Sequence, residues 1–274
     1  MSPPFYGHLP QQGLHLLKDA WFQKSYLRQH SEQIAQHLEE AIDATFHAAQ
    51  VRSGNFRLSR SPNQQMHETS RERRLEAAML QRWTPPGLWP LPGGWNRLVA
   101  FQVPLYAQQE RGQWGSIDLL GATADGLPVV VELKKSPASG PDGRTSRSET
   151  PLRIVLEGAA YAIALRKNWN QRWFREEWIT RLRELKVDDL ILERLPESLT
   201  TVPIVGAAPA SYWLDWLPVT AKGRSELGPE VWNAFRSLLD ELTKFQLPVT
   251  FVSVSGEAEN PTQLAIQPLE FPPT

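Results

Sequence analysis

Apolar side chains along this chain switch repeatedly between helical and strand spacing. From about residue 13 to 49, Leu14, Leu17, Trp21, Leu27, Ile34, Leu38, Ile42 and Phe46 recur at near-helical intervals, which predicts a helical segment. Residues 52 to 68 are polar and carry Gly54, Ser59, Ser61 and Pro62, so a loop is expected there. A second helical stretch holds Glu76 and stops at the Pro85-Pro86-Gly87 connection, which runs on to Gly93-Gly94. Short apolar runs at 98–103, 116–123 and 128–135 have the length of strands. Helices are then expected at 152–167 and 170–186, a strand at 201–207, and a helix at 229–245 with Val231, Trp232, Phe235, Leu238, Leu239 and Leu242 in its apolar stripe. Residues 249–254 and 263–267 read as a terminal strand pair. This order predicts an α/β (α+β) fold, a mixed central sheet flanked by helices. It divides the chain into an N-terminal helical segment (1–60), a core (69–210) and a C-terminal helix with strand pair (211–274) packed on that core.

Acids interrupt the two central apolar runs. Asp118 lies inside Gly115-Ser116-Ile117-Asp118-Leu119-Leu120-Gly121, and Glu132 inside Val129-Val130-Val131-Glu132-Leu133-Lys134. Alternation along a strand puts Glu132 and Lys134 on one face, with Val131 and Leu133 on the other. Ala124-Asp125-Gly126 between the runs is a hairpin signal. If these residues form the loop, Thr123 pairs with Leu127, and counting outward sets Asp118 opposite Glu132. Directly opposed residues have Cβ atoms about 4.5–5.5 Å apart. Like charges that close are destabilising unless something positive sits between them, and a divalent cation is the simplest such object.

Gly-x-x-Asp, a hairpin and Glu-x-Lys together resemble the PD-(D/E)XK nuclease superfamily. The flanks extend the likeness over roughly residues 69 to 168. Thr69-Ser70-Arg71-Glu72 has the form of a capping box opening the Glu76 helix, where family members often carry a further acid. Val155-Leu156-Glu157-Gly158-Ala159-Ala160-Tyr161 is similar to the Gln-x-x-x-Tyr helix of the recombination-nuclease branch, with Glu in place of Gln. Ile117 stands where the eponymous proline would be, and Pro141-Asp142 comes after the Glu-x-Lys strand. The resemblance implies a restriction-endonuclease-like core and metal-dependent hydrolysis of phosphodiester bonds in nucleic acid, with DNA the first expectation. It implies Mg²⁺, with Mn²⁺ as substitute, held by Asp118, Glu132, the Leu133 carbonyl and Glu76. Lys134 would assist the water or the transition state, and Glu157 and Tyr161 would border the substrate. A binding module without catalysis and a protein-interaction subunit are the alternatives.

Residues 136 to 150 are rich in Ser, Gly, Pro and Arg, which makes Arg144 and Arg147 candidates for a substrate-contacting flap, or part of a plain connector. A further basic cluster, Arg52, Arg57, Arg60, Arg71, Arg73, Arg74 and Arg82, precedes or flanks the Glu76 helix. The whole-chain charge of -1, from 29 Lys and Arg against 30 Asp and Glu, excludes a uniformly basic protein but not a basic groove. Zero cysteines exclude disulfides and thiolate metal sites. No apolar run approaches the ~20 residues of a membrane span, and Met1-Ser2-Pro3-Pro4-Phe5-Tyr6 lacks the features of a secretory signal, so a cytoplasmic location without membrane partners is expected. A homodimer is left open. The 11 tryptophans are expected to pack rather than stack bases, and His30 and His37, without a third ligand at suitable spacing, to be packing or surface residues.

Overall fold

The computed structural model describes residues 13–14, 27–51, 58, 71–85, 95–104, 115–134, 150–214, 216 and 229–269. Among these residues six strands in chain order form one mixed sheet: β1 (Trp95–Pro104), β2 (Ser116–Thr123), β3 (Pro128–Leu133), β4 (Ile204–Pro209), β5 (Val249–Ser255) and β6 (Ala265–Pro268). The first three are joined antiparallel, β3, β4 and β5 run parallel, and β6 returns antiparallel. Parallel neighbours need long crossovers. Helices α4 (Pro151–Trp169), α5 (Arg172–Glu184) and α6 (Asp189–Leu192) supply the first, and α7 (Ala210–Leu214) and α8 (Pro229–Lys244) the second. Preceding the sheet are α1 (Leu27–Gln36), α2 (Leu38–Ala48) and α3 (Arg71–Trp83). The expected α/β class is therefore what the chain adopts. The terminal strands β5 and β6 belong to the same sheet as the central hairpin.

The strand alternation sorts the core into two layers. Val130 and Ile204 join the residues of α4, α5 and α8 on one face. Val129, Val131, Leu133, Val205 and Ala207 meet Ala78, Met79, Leu80 and Trp83 of α3 on the other. Helix α4 is apolar on nearly all sides and buried along most of its length, as a helix between a sheet and other helices must be. It begins with Thr150, whose side chain accepts a hydrogen bond from Arg153 N, followed by Pro151 in the first turn.

Within the helical segment expected at 13–49, residues 27–48 form two helices with a break at His37 (φ -119°, ψ 22°). The periodicity runs through the break because both pieces bury an apolar stripe. They bury it on different partners, α1 on α8 and α2 on α4, and one straight helix could not serve both. Strand β4 starts three residues later than expected (Ile204 rather than Thr201), and the short helices α6 and α7 are too brief for periodicity to reveal. Of the tryptophans, Trp83, Trp169, Trp178, Trp213, Trp216 and Trp232 are buried. Trp178 Nε1 donates to Gly126 O at 2.9 Å and Trp213 Nε1 to Val252 O at 2.8 Å, so these two indole donors are satisfied inside the core. Among the described residues no helix is long and apolar enough to cross a membrane.

Candidate active site

The β2–β3 hairpin turns through Ala124-Asp125-Gly126, with Thr123 N donating to Leu127 O at 2.8 Å and Gly126 at φ +77°. A left-handed residue closing a three-residue loop favours glycine. The resulting register pairs Leu119 with Val131, where the ladder ends. The next residues outward, just beyond this last pair, are Asp118 and Glu132. Asp118 Oδ2 accepts from Leu133 N at 2.9 Å. The carboxylate has thus taken the place of a strand carbonyl, and both acids stay inside while the strands part.

Two linked clusters meet at this opening. In the first, Lys134 Nζ donates to Glu132 Oε1 at 2.6 Å and to Glu157 Oε2 at 2.7 Å, and all three side chains are buried. Arg153, one helical turn before Glu157 on α4, donates to Glu157 Oε1 at 3.2 Å. Lys134 thus sits in a buried three-way cluster with Glu132 and Glu157 rather than on the surface. In the second, Glu72, Glu76 and Asp118 each bring one oxygen within 4.8 Å of the others. Gln102 of β1 donates from Nε2 to Glu76 Oε2 at 2.7 Å and more weakly to Asp118 Oδ1 at 3.5 Å.

Burial and crowding of acids govern the protonation of this region. Burial first, then the neighbouring Asp118, raises Glu76 to about 8. Burial likewise raises Asp118, to about 6, against the pull of Lys134 and of the Leu133 N–H. Glu132 lies well above the ordinary carboxylate range because burial and then Asp118 outweigh the ammonium beside it. Glu157 goes the other way: burial pushes it up, but Lys134, the hydrogen bond with Glu132 and Arg153 together hold it down at about 2. Burial and the surrounding acids keep the Tyr161 phenol protonated.

Such a set of buried acids is suited to a hard cation. Glu132 Oε2 is buried with no hydrogen-bond partner among the described residues, an expensive state for a carboxylate oxygen. Oxygen donors of this kind fit Mg²⁺ or Mn²⁺. The structure brings together Glu76, Asp118, Glu132, Lys134, Glu157 and Tyr161 of the sequence-derived set. The Leu133 side chain packs in the opposite layer while its backbone lines the opening. Glu132 turns its Oε1 to Lys134, whereas Asp118 groups with Glu76 and with Glu72, which the motif reading did not single out. Arg144 and Arg147 lie outside the described residues, as do Thr69 and Ser70 of the expected capping box. Of the basic cluster, Arg74 pairs with Glu259 at 3.1 Å, joining α3 to the β5–β6 connection.

Three residues of the site were missed by sequence reasoning. Glu72 and Glu76 are four apart on one helix, and Arg153 and Glu157 likewise, a spacing that places side chains on one face and was open to inspection. Gln102 gave a fainter signal, one polar residue in an apolar strand. No protein-family model, curated protein or solved structure matches the chain.

Proposed function

We propose that this protein is a metal-dependent nuclease that hydrolyses phosphodiester bonds of nucleic acid, with DNA as the first substrate to test. The observation that carries the reading is the buried convergence of Asp118, Glu132, Lys134, Glu76 and Glu157. Buried acids cost free energy unless paired or bound to a metal. A fold tolerates several together where the site does chemistry.

Asp118, Glu76 and Glu132 would hold Mg²⁺ or Mn²⁺, with Glu72 grouped beside Asp118 and Glu76 and the Leu133 carbonyl as the further ligand that the resemblance implies. When bound, the cation supplies Lewis acidity, lowering the pKa of a water and neutralising charge on the phosphate. In the reaction a water oxygen forms a bond to phosphorus, the bond to the leaving oxygen breaks, and a proton passes to that leaving group. Lys134 offers an ammonium beside the acids, where it stabilises charge on the phosphoryl oxygens. Glu157, backed by Arg153, fixes that ammonium from the helix side. Burial of the cluster keeps bulk water out and raises the worth of each charge.

The test is cleavage of plasmid and oligonucleotide substrates, DNA and RNA, with Mg²⁺ and Mn²⁺. Asp118→Asn and Glu132→Gln are expected to fold and to lose metal-dependent cleavage. Lys134→Met, which keeps the stem and removes the charge, is expected to cut turnover by about 10²-fold or more at saturating metal. Full cleavage by either carboxylate variant would move the chemistry elsewhere. Nucleic-acid binding without cleavage by the wild type would leave a binding module in place of an enzyme.

A further inference from the structure

We propose that Gln102 is a positioning residue for the cation site, its side-chain amide holding the Glu76 and Asp118 carboxylates side by side. This rests on the cation reading above and adds to it a residue that no motif contains.

The first observation is backbone strain. Gln102 lies in β1 at φ +48°, a left-handed conformation that non-glycine residues adopt rarely and only with backbone strain. The strand pairing does not demand it. Phe101 pairs with Leu119 and Val103 with Ile117, so no residue is inserted between β1 and β2 at this point, and Gln102 stands at the register position of Asp118. The flanking residues serve opposite core layers, Phe101 on the α3 side and Val103 on the α4 side.

The second observation is what the turned backbone achieves. The Gln102 Nε2 reaches Glu76 Oε2 at 2.7 Å and Asp118 Oδ1 at 3.5 Å, while Leu133 N holds the other Asp118 oxygen at 2.9 Å. Asp118 is thereby fixed from two strands, and α3 is tied to the sheet through Glu76. The residue type matters. An amide presents two N–H donors and no net charge, so it restrains two mutually repelling carboxylates and leaves their charge available to a cation. A lysine or arginine there would pair the acids and repel the metal. Hydrogen-bond partners that orient metal-ligating carboxylates typically govern affinity by about 10–100-fold.

The experiment measures Mn²⁺ affinity of the full chain by calorimetry, comparing wild type with Gln102→Leu and Gln102→Gly. Leucine keeps the bulk and removes the donors. Glycine accepts the backbone conformation without strain and keeps the fold measurable if leucine does not. Both are expected to bind Mn²⁺ about 10–100-fold more weakly. Wild-type affinity in either folded variant overturns the inference while sparing the nuclease reading. Absence of Mn²⁺ binding by the wild type overturns both. A wild type that binds Mn²⁺, is weakened by both substitutions and cleaves nothing supports the role of Gln102 and removes the nuclease.

Discussion

Glu76 and Glu157 are both buried glutamates, yet their surroundings push them in opposite directions. Glu157 has an ammonium and a guanidinium in contact, whereas Glu76 has a neutral amide and a neighbouring acid. The consequence for Glu76 is a stability that depends on pH. Its value rises from 4.5 to about 8 on folding, so the folded chain keeps a proton that the unfolded chain gives up. Without metal, stability held below about pH 4.5 is therefore lost as pH rises through 8. Glu76→Gln removes this dependence. In a chelating buffer the melting temperatures of wild type and variant are expected to coincide near pH 4 and to diverge, the variant higher, by pH 8. Parallel melting curves across that range would place the proton elsewhere.

At the scale of elements, the seating of α4 on the sheet sets where Glu157 meets Lys134. Gly158 is the contact point: a Cβ there would lie 2.5 Å from Ile204 Cγ2 on β4. Ile is stiff at χ1 and cannot swing its methyl away cheaply. In a free helix, alanine would be favoured over glycine by about 1 kcal/mol. Overpacking of a filled core commonly costs about 1–3 kcal/mol and wins here. Gly158→Ala is expected to lower stability in urea and to reduce cleavage, because α4 must lift and carry Glu157 with it. A variant as stable as wild type would mean that the helix and sheet have slack. The β2–β3 hairpin works by a similar geometric rule, with its three-residue loop fixing the register that brings Asp118 and Glu132 together.

At the scale of the whole molecule, the described residues form one sheet covered on both faces, and the candidate site lies at the end of the β2–β3 ladder, between the α3 and α4 layers. The C-terminal strand pair, expected to pack on the 69–210 core, continues the core's sheet, with β4 pairing in parallel with β5 along its entire length. Removing residues 229–274 would expose a parallel strand edge, and parallel strands are stable almost only when covered. The truncated chain is expected to lose its cooperative unfolding transition by circular dichroism. A protease-resistant fragment with native-like melting would show that the first four strands suffice. Arg74–Glu259 adds a tie between α3 and the β5–β6 connection, though half-exposed pairs of this kind contribute little.

Local pattern by itself determined the strands, the hairpin register, most helices and the nearness of Asp118, Glu132 and Lys134, because each depends on spacing within a few residues. The i,i+4 pairs Glu72–Glu76 and Arg153–Glu157 belong to the same class, being legible on a helix face. Only the tertiary structure decided the rest. The break at His37 follows from two helices packing on different neighbours. The role of Gln102 depends on a backbone angle and on an acid 26 residues away. The capture of Lys134 by Glu157 depends on a helix laid across the sheet. In each case the partner is distant in sequence, and its position is fixed by how the layers pack rather than by any residue's own preference.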